Sequence, residues 1–277
     1  SPAVAYVGDV SDGLACPETI TRTYSVTDDC GNQITVDQII VVNDTIVPTA
    51  SAPDTIAVQC IGDVPIPDSL VVTDEADNCA VSPAVAHVGD VSDGLACPET
   101  ITRTYSVTDD CGNQITVDQI IVVDDTIVPT ASAPDTIAVQ CAGDIPIPDI
   151  TVLTDAADNC TAAPVVAHID DISDGLSCPE TITRIYSVTD DCGNQITVDQ
   201  IIVVNDTIVP TASAPDTITV QCIGDVPAID VLVVLDEADN CTLDPVVAHV
   251  GDVSDGLTCP ETITRTYSVT DDCGNQI

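Results

Sequence analysis

Cysteines are the residues in this chain whose type and spacing most directly suggest chemistry. Fourteen occur in 277 residues, and each kind recurs with a spacing of 81 residues. The four series are Cys16, Cys97, Cys178 and Cys259; Cys30, Cys111, Cys192 and Cys273; Cys60, Cys141 and Cys222; and Cys79, Cys160 and Cys241. Cysteines repeated in this way favour disulfides formed in an oxidising, extracellular setting. A zinc site would need Cys-x-x-Cys or clustered His, and the sequence contains neither.

Acidic residues are the second chemical feature. The chain has 46 Asp and Glu against 4 Arg and no Lys, a formal net charge of −42. Such charge excludes nucleic acid as a partner and disfavours insertion into or binding to anionic membranes. It also calls for neutralisation by cations, and Ca²⁺ takes six to eight oxygens from acidic loops.

The expected Ca²⁺ ligands lie in linkers and loops that a sandwich topology brings to the joints between domains. They are Asp44, Asp74, Glu75, Asp77, Asp109, Asp110, Asp125, Asp155, Asp158, Asp190 and Asp191. Their spacing fits no EF-hand. The alternative is a solvated acidic face on which Asp and Asn serve the turns.

A recurring Asp-Thr-Ile tripeptide is similar to an O-glycosylation consensus of bacterial surface proteins. It predicts covalent glycans on Thr45, Thr55, Ser69, Thr126, Thr136, Thr207 and Thr217. An N-linked alternative at Asn43 is weaker, because the next unit has Asp124 in its place. The other interpretation is that Thr is a good strand residue and Asp caps a turn.

Signs of catalysis are absent from the sequence. His87, His168 and His249 share one position in the repeat, but the first unit has Tyr6 there, a replacement that a general base or metal ligand would not tolerate. No Gly-x-Ser-x-Gly turn and no phosphate-binding Gly loop occur. We expect no enzymatic activity.

The element that positions these residues is a β-hairpin. Residues 101–107 alternate, with Ile101, Arg103, Tyr105 and Val107 on one face. The run 109–113, Asp-Asp-Cys-Gly-Asn, supplies turn residues, and the β-branched stretch 114–123 follows as a second strand. Arg103 is expected to offset neighbouring carboxylates.

The period of 81 residues predicts a tandem array of small domains. The expected divisions are 1–48, the C-terminal part of a repeat; 49–129 and 130–210, two complete repeats; and 211–277, the N-terminal part of a repeat. We expect a stretch of a longer array. Within 49–129 we predict further strands at 55–59, 70–73 and 84–88, which together indicate a small immunoglobulin-like β-sandwich.

The motif Thr-Arg-Thr-Tyr-Ser-Val-Thr-Asp-Asp-Cys-Gly-Asn at 102–113, with the Val-Val-Asp-Asp-Thr-Ile-Val-Pro run at 122–129, resembles the hyalin-repeat (HYR) and HYR-like domains. The resemblance covers every unit. It implies an immunoglobulin-like fold in secreted or surface proteins, many of them bacterial, and it implies function only loosely.

An immunoglobulin-like sandwich would place two cysteines of each domain at either end. Cys97 and Cys111 flank one straight strand and cannot bond to each other. The pairings expected from this topology are Cys60–Cys97, Cys79–Cys111, Cys141–Cys178, Cys160–Cys192, Cys222–Cys259 and Cys241–Cys273.

The resulting hypothesis is a structural, non-enzymatic extracellular protein, a rigid rod, stalk or filament of tandem repeats at the cell surface. Its expected partners are neighbouring repeats or copies of itself in a fibre. The alternative is an adhesin array whose acidic loops bind glycans or partner proteins. The near-identity of the units favours the rod, since a recognition array often varies its loops.

Overall fold

The computed structural model describes all of residues 1–277 and consists of β-strands and short 3₁₀ turns, so the predicted all-β class is confirmed. The chain forms two compact units, Ser1–Ile127 and Val128–Ile277. None of the helical segments could span a membrane.

The first unit contains two sheets. Strands β1 (Ala3–Ser11), β2 (Glu18–Thr27) and β3 (Gln33–Val42) form an antiparallel sheet in chain order. The second sheet contains β4 (Ile56–Val58), β5 (Ala84–Ser92), β6 (Glu99–Thr108) and β7 (Gln114–Val123) in the order β4-β7-β6-β5. Its three long strands are antiparallel, and β4 pairs with β7 in parallel. Two 3₁₀ turns, Ile61–Asp63 and Ser69–Val71, lie between β4 and β5.

The second unit repeats this arrangement. Strands β8 (Ile137–Val139), β9 (Val165–Ser173), β10 (Glu180–Thr189) and β11 (Gln195–Val204) have the order β8-β11-β10-β9. They are followed by a pair β12 (Thr211–Ser213) and β13 (Leu235–Ala238) and a pair β14 (Val246–Ser254) and β15 (Ile263–Thr270). The 3₁₀ turns of this unit are Ala142–Asp144, Ile150–Val152, Ile223–Asp225 and Val231–Val233.

The hairpin of β6 and β7 confirms the prediction from alternation. Tyr105 and Val107 are fully buried, and Ile101 is also in the core. Between the strands, Asp109 Oδ1 accepts hydrogen bonds from the backbone N–H groups of Cys111 and Asn113, at 2.9 and 2.7 Å. Gly112 has φ +87°, the left-handed conformation that glycine adopts without strain. The side-chain cap and the glycine together make this turn.

The other strand predictions are only partly right. The strand predicted at 55–59 is β4, and the strand predicted at 84–88 continues to Ser92 as β5, with a bulge between His87 and Gly89. The strand predicted at 70–73 is wrong. That segment starts with a 3₁₀ turn, because Asp68 caps it by accepting a hydrogen bond from Leu70 N–H at 2.9 Å. The face opposite the sheet is therefore covered by turns and one β-bridge, Thr49 to Ala76.

The core of each complete repeat is small and aliphatic apart from one tyrosine. Val72 packs on Tyr105, Val107 and Val117 at one end of the sheet. A second cluster, Ile101, Ile121 and Val123, is covered by Ile56, Val58 and Val64. The unit Val128–Ile277 has the equivalent two clusters, around Tyr186 and around Ile202.

One buried charge interrupts this apolar row. Arg103 is 3% exposed and makes a bidentate pair with Asp90, with Nε to Oδ1 at 2.9 Å and an NH group to Oδ2 at 2.8 Å. His87 Nε2 lies 2.9 Å from the same Oδ1. The hydrogen bonds from Arg103 lower the pKa of Asp90 to about 2. Arg103 therefore offsets a neighbouring carboxylate, as predicted, and the ring of His87 is satisfied by Asp90.

Replacing Arg103 with Met should lower the free energy of unfolding by about 2 kcal/mol at pH 7, because Asp90 keeps its charge and loses its partner. Urea denaturation measures the change. The matched control is Arg22→Met, which removes the same kind of pair with Asp9, but from a site where the guanidinium is 37% exposed; it should cost less.

The stabilisation by Asp90 depends on pH in a defined direction. Its pKa is lower in the folded state than the ordinary 3.8, so the contribution is complete above pH 3.8 and is lost as the pH falls towards 2. The difference between wild type and Arg103→Met should shrink over this window. A difference that stays constant from pH 7 to pH 2 would contradict the assignment.

Candidate functional site: the junction between consecutive repeats

Disulfides join consecutive repeats at their ends. In the first unit, Cys16 lies between β1 and β2, and Cys111 lies in the turn between β6 and β7 of the next repeat. The two are bonded, with Cα atoms 5.0 Å apart and a sequence separation of 95 residues. A single covalent bond thus connects the sheet of residues 3–42 to the sheet that follows it.

The second unit has two such bonds. Cys178 is bonded to Cys273 with the same separation of 95 residues, and Cys141 is bonded to Cys241 with a separation of 100 residues. The Cα atoms are 5.2 Å apart in both pairs. Each bond connects residues of 130–210 to residues of 211–277, so two disulfides close this junction. Ten cysteines are disulfide-bonded in all, including Cys60, Cys97, Cys160 and Cys192.

Most of the predicted pairings within a repeat are wrong. Cys111, Cys141 and Cys241 have other partners than predicted, which excludes Cys79–Cys111, Cys141–Cys178 and Cys241–Cys273. Cys222 and Cys259 are both free, which excludes their pairing. Cys60, Cys97, Cys160 and Cys192 are also disulfide-bonded, and Cys60–Cys97 and Cys160–Cys192 stay predictions.

The error has a physical cause. The prediction assumed that cysteines at one end of a repeat face each other within that repeat. Cys16, Cys141 and Cys178 instead bond to cysteines of the neighbouring repeat. Disulfide formation needs Cα atoms within about 7 Å, a condition met across the junction.

Four cysteines are free and exposed. They are Cys30, Cys79, Cys222 and Cys259. The other ten are disulfide-bonded.

Amide side chains connect the repeats alongside the disulfides. In the first unit, Asn113 Nδ2 donates to the backbone oxygen of Asp44 at 3.1 Å, and Asn78 Nδ2 donates to Asp44 Oδ1 at 3.3 Å. In the second unit, Asn275 and Asn240 make the same two bonds to Asp206, at 2.9 and 3.1 Å. The linker that leaves one repeat is therefore held by two loops of the next.

Carboxylates converge at the same place. Ligand atoms of Asp44, Asp77 and Asp109 all lie within 4.8 Å of one another, as do those of Asp206, Asp239 and Cys241. Asp44 and Asp206 come from the linkers, and Asp77 and Asp239 come from the loop that precedes Cys79 or Cys241. We call Asp44 with Asp77, and Asp206 with Asp239, the junction carboxylates.

The remaining predicted metal ligands are placed differently. Asp74 and Asp155 accept hydrogen bonds from the backbone N–H groups of Ser51 and Ser132, which fixes the start of their own repeats. Asp110 and Asp191 are exposed. Glu75 lies outside the groups of close ligand atoms. Asp125, Asp158 and Asp190 repeat the positions of Asp44, Asp77 and Asp109 after 81 residues.

The predicted glycan acceptors are mostly accessible. The hydroxyl-bearing residues Thr45, Thr55, Thr126, Thr136, Thr207 and Thr217 are exposed, and Ser69 is half-buried. The hydroxyls of Thr126 and Thr207 contact Gln59 and Gln140 at 3.3 Å. Asp44 and Asp206 each accept a hydrogen bond from the N–H group two residues on, so Asp also serves a turn in this motif.

Sequence reasoning missed two sets of residues. Asp206 and Asp239 were not among the predicted ligands, although they lie two periods after Asp44 and Asp77. The amides of Asn78, Asn113 and their equivalents were expected at the end that faces the preceding repeat, but no hydrogen bond from them to the linker was predicted. A side-chain bond to a neighbouring repeat leaves no local signal in a sequence, whereas the period alone could have identified the acids.

Comparison with known proteins finds a family match for one stretch of the chain. Residues 48–123 match the family described as the HYR-like domain with 4 cysteines. Among solved structures, the crystal structure of the human desmocollin-1 ectodomain is similar with a TM-score of 0.23 and 10% identity, over 95% of this chain and 64% of that one. The chain thus spans less than two thirds of that ectodomain. No curated protein matches the sequence.

Alkylation without reductant, in denaturant, should modify four cysteines and leave ten protected. Peptide mass spectrometry should locate the label on Cys79, Cys222 and Cys259, each of which lies in a unique sequence. The fourth label should be on Cys30, whose turn sequence recurs at Cys111, Cys192 and Cys273, so one labelled copy of that turn is expected. In the folded protein Cys79 should react slowly, because burial and the Asp44 carboxylate raise the pKa of its thiol. Labelling of Cys141 or Cys241 would contradict the bond between them.

Proposed function

We propose that this chain is a structural extracellular protein that bears load as a rigid rod, stalk or filament. Residues 48–123 match the HYR-like domain with four cysteines, and the remaining sequence repeats that stretch. The observation that carries the proposal is the covalent connection between consecutive repeats. Bonds between repeats resist separation of the repeats, whereas bonds within a repeat would only protect that repeat from unfolding.

Location outside the cell is supported by the chemistry of the cysteines. Ten of fourteen are oxidised, and disulfides of this number persist in secreted and surface proteins but are rare in the reducing cytosol. The net charge of −42 would keep such an array soluble and would repel other acidic surfaces.

Absence of catalysis is part of the proposal. HYR-like domains are structural or adhesive modules, and the three His side chains are engaged in ion pairs. His87, His168 and His249 each contact an Asp at 2.9 Å, and that Asp is also held by an Arg. The Nε2 atom of each His is thereby occupied.

The adhesin alternative is less well supported. It requires acidic loops that present free carboxylates to a partner. Asp74 and Asp155 instead accept hydrogen bonds from the backbone N–H groups of Ser51 and Ser132, and Asp77 and Asp109 accept from backbone N–H groups of their own loops. These contacts favour a role of the loops in joining repeats over a role in binding glycans or proteins.

Neighbouring repeats are the partners that we propose, in preference to lateral copies. The edge strands β5 and β9 each have only one neighbour in their sheets. Both carry a bulge, near His87 and near Tyr186 of the partner strand, and both contain a paired Asp. Bulges and charges on an edge oppose addition of another strand.

Two additions complete the proposed function. Ca²⁺ at the junctions would stiffen the array by neutralising carboxylates from adjoining repeats. O-linked glycans on the exposed Asp-Thr-Ile threonines would cover its surface. The accessibility of Thr45, Thr55, Thr136 and Thr217 supports the second addition.

Single-molecule force spectroscopy of residues 1–277 tests the load-bearing role. The bonds Cys16–Cys111 and Cys141–Cys241 enclose 95 and 100 residues, which cannot extend while the bonds are intact. Added reductant should lengthen the fully stretched chain by at least 650 Å, on the order of 3.4 Å per released residue.

The matched control for this experiment is Cys79→Ser, which removes a free thiol and should leave the oxidised extension unchanged. Cys16→Ser opens the loop that Cys16–Cys111 closes and should give a longer oxidised extension than the control. Equal extension before and after reduction would contradict the proposal that the disulfides transmit force between repeats.

Mass spectrometry of the protein from its native source tests the glycans. A glycosylated array should be heavier than the sequence requires, with the added mass on peptides that contain Thr45, Thr55 or their equivalents. The same sequence made in a host without the glycosylation system is the control and should show 28.5 kDa. A native chain without added mass would exclude the glycan coat.

A further inference from the structure

The junction carboxylates have an electrostatic problem that the protein itself does not solve. Two oxygens in each group, Asp44 Oδ2 with Asp77 Oδ1 and Asp206 Oδ2 with Asp239 Oδ1, are buried and have no hydrogen-bond partner. Asp206 as a whole is only 3% exposed. Burying unpaired carboxylate oxygens close together is costly unless a positive charge compensates them.

No basic side chain is available for this compensation. The chain has no Lys, and each of its four Arg residues is paired with an Asp elsewhere. Those pairs are Arg22 with Asp9, Arg103 with Asp90, Arg184 with Asp171 and Arg265 with Asp252. The compensating charge must therefore come from solution.

The other oxygens of the same side chains are committed to positioning. Asp77 Oδ2 accepts backbone N–H groups of Cys79 and Ala80, at 2.9 and 2.7 Å, and Asp239 Oδ2 accepts those of Cys241 and Thr242. Asp44 Oδ1 and Asp206 Oδ1 accept from a turn N–H group and from an Asn amide. One oxygen of each carboxylate orients the side chain, and the other is left for a ligand.

We propose that each junction binds one Ca²⁺ ion through Asp44 Oδ2 and Asp77 Oδ1, or through Asp206 Oδ2 and Asp239 Oδ1. Hard carboxylate oxygens suit Ca²⁺, which tolerates irregular loops better than Mg²⁺ does. Zn²⁺ is disfavoured because the sulfur of Cys241 is in a disulfide and offers no thiolate. The inference deepens the load-bearing function and rests on it, since the ligands of each ion come from two consecutive repeats.

The ion and the disulfide close the same junction in the second unit. Asp239 is two residues before Cys241, and Asn240 Nδ2 donates to Asp206 Oδ1 at 3.1 Å while it contacts the sulfur of Cys141 at 3.4 Å. Reduction of both Cys141–Cys241 and Cys178–Cys273 removes the bonds that hold the two repeats together, which should weaken this site. The site at Asp44 and Asp77 lies at the junction closed by Cys16–Cys111, so reduction should weaken it as well.

Isothermal titration of the chelator-treated 277-residue chain with CaCl₂, together with native mass spectrometry, tests the proposal. The wild type should bind at least two ions. Asp77→Asn and Asp239→Asn should each bind one ion fewer, and the double variant two fewer. Asp63→Asn and Asp225→Asn remove the same charge from exposed 3₁₀ turns and should leave the stoichiometry unchanged.

Thermal unfolding separates an ion site from a merely structural role. Ca²⁺ at about 100 times its Kd should raise the wild-type Tm by about 5–10 °C. In chelator, Asp77→Asn and Asp239→Asn should be at least as stable as wild type, since each removes an unpaired charge, and both should lose part of the Ca²⁺-dependent rise. A purely structural Asp would instead lower Tm in both conditions.

Three outcomes would overturn the proposal: no Ca²⁺ bound by the wild type, the same stoichiometry in Asp77→Asn and Asp239→Asn as in wild type, or equal Tm with Ca²⁺ and with chelator. The force measurement made in chelator remains a separate test, because the disulfides limit extension whether or not an ion is bound. Failure of the ion site therefore leaves the load-bearing function standing, and the two failures are distinguishable.

Discussion

Covalent bonding between the ends of consecutive repeats is the constraint on which this structure depends. Each complete repeat has a single four-stranded sheet and a core of Val, Ile and one Tyr, with no Trp, Phe or Met in the chain. Domains of this size bury little surface and gain correspondingly little from the hydrophobic effect. A bond that closes a loop of about 100 residues contributes about 4–5 kcal/mol in the chain-entropy model, which is large against the stability of one small domain.

The disulfides also explain the chemistry around them. Once two ends are held together, linker and loop groups that would otherwise be solvated become buried, and their polar atoms need partners. The amides of Asn113 and Asn275 provide partners for linker backbone oxygens. The carboxylates of Asp206 and Asp239 remain incompletely compensated. The proposed ion completes a junction that is otherwise built from short-range covalent and hydrogen bonds.

Much of the fold could be predicted because it is encoded locally. Strict alternation identified the buried row at Ile101, Arg103, Tyr105 and Val107, and turn chemistry identified the reversal at Gly112. The segment at 70–73 could not be assigned in this way. A short apolar run is equally compatible with a strand and with a turn, and the cap from Asp68 decides for the turn.

The site was predicted less completely, because its residues belong to different repeats. Convergence of Asp44, Asp77 and Asp109 follows from loops that meet at one end of a domain, so the topology was sufficient to find it. The partner of Cys111 depends on how one repeat contacts the preceding one, and nothing within a single repeat specifies this. Cys111 follows Cys97 by 14 residues, Cys79 by 32 and Cys16 by 95, and only the three-dimensional contact selects Cys16.

Disulfide mapping of the unreduced protein tests the central claim most directly, because the peptides concerned have unique sequences. Cleavage before Asp should yield the Cys141 peptide, residues 135–143, linked to the Cys241 peptide, residues 239–243. This product is expected if consecutive repeats are joined. Recovery of the Cys141 peptide linked to the Cys178 peptide, residues 174–189, would show bonding within one repeat and would contradict the account.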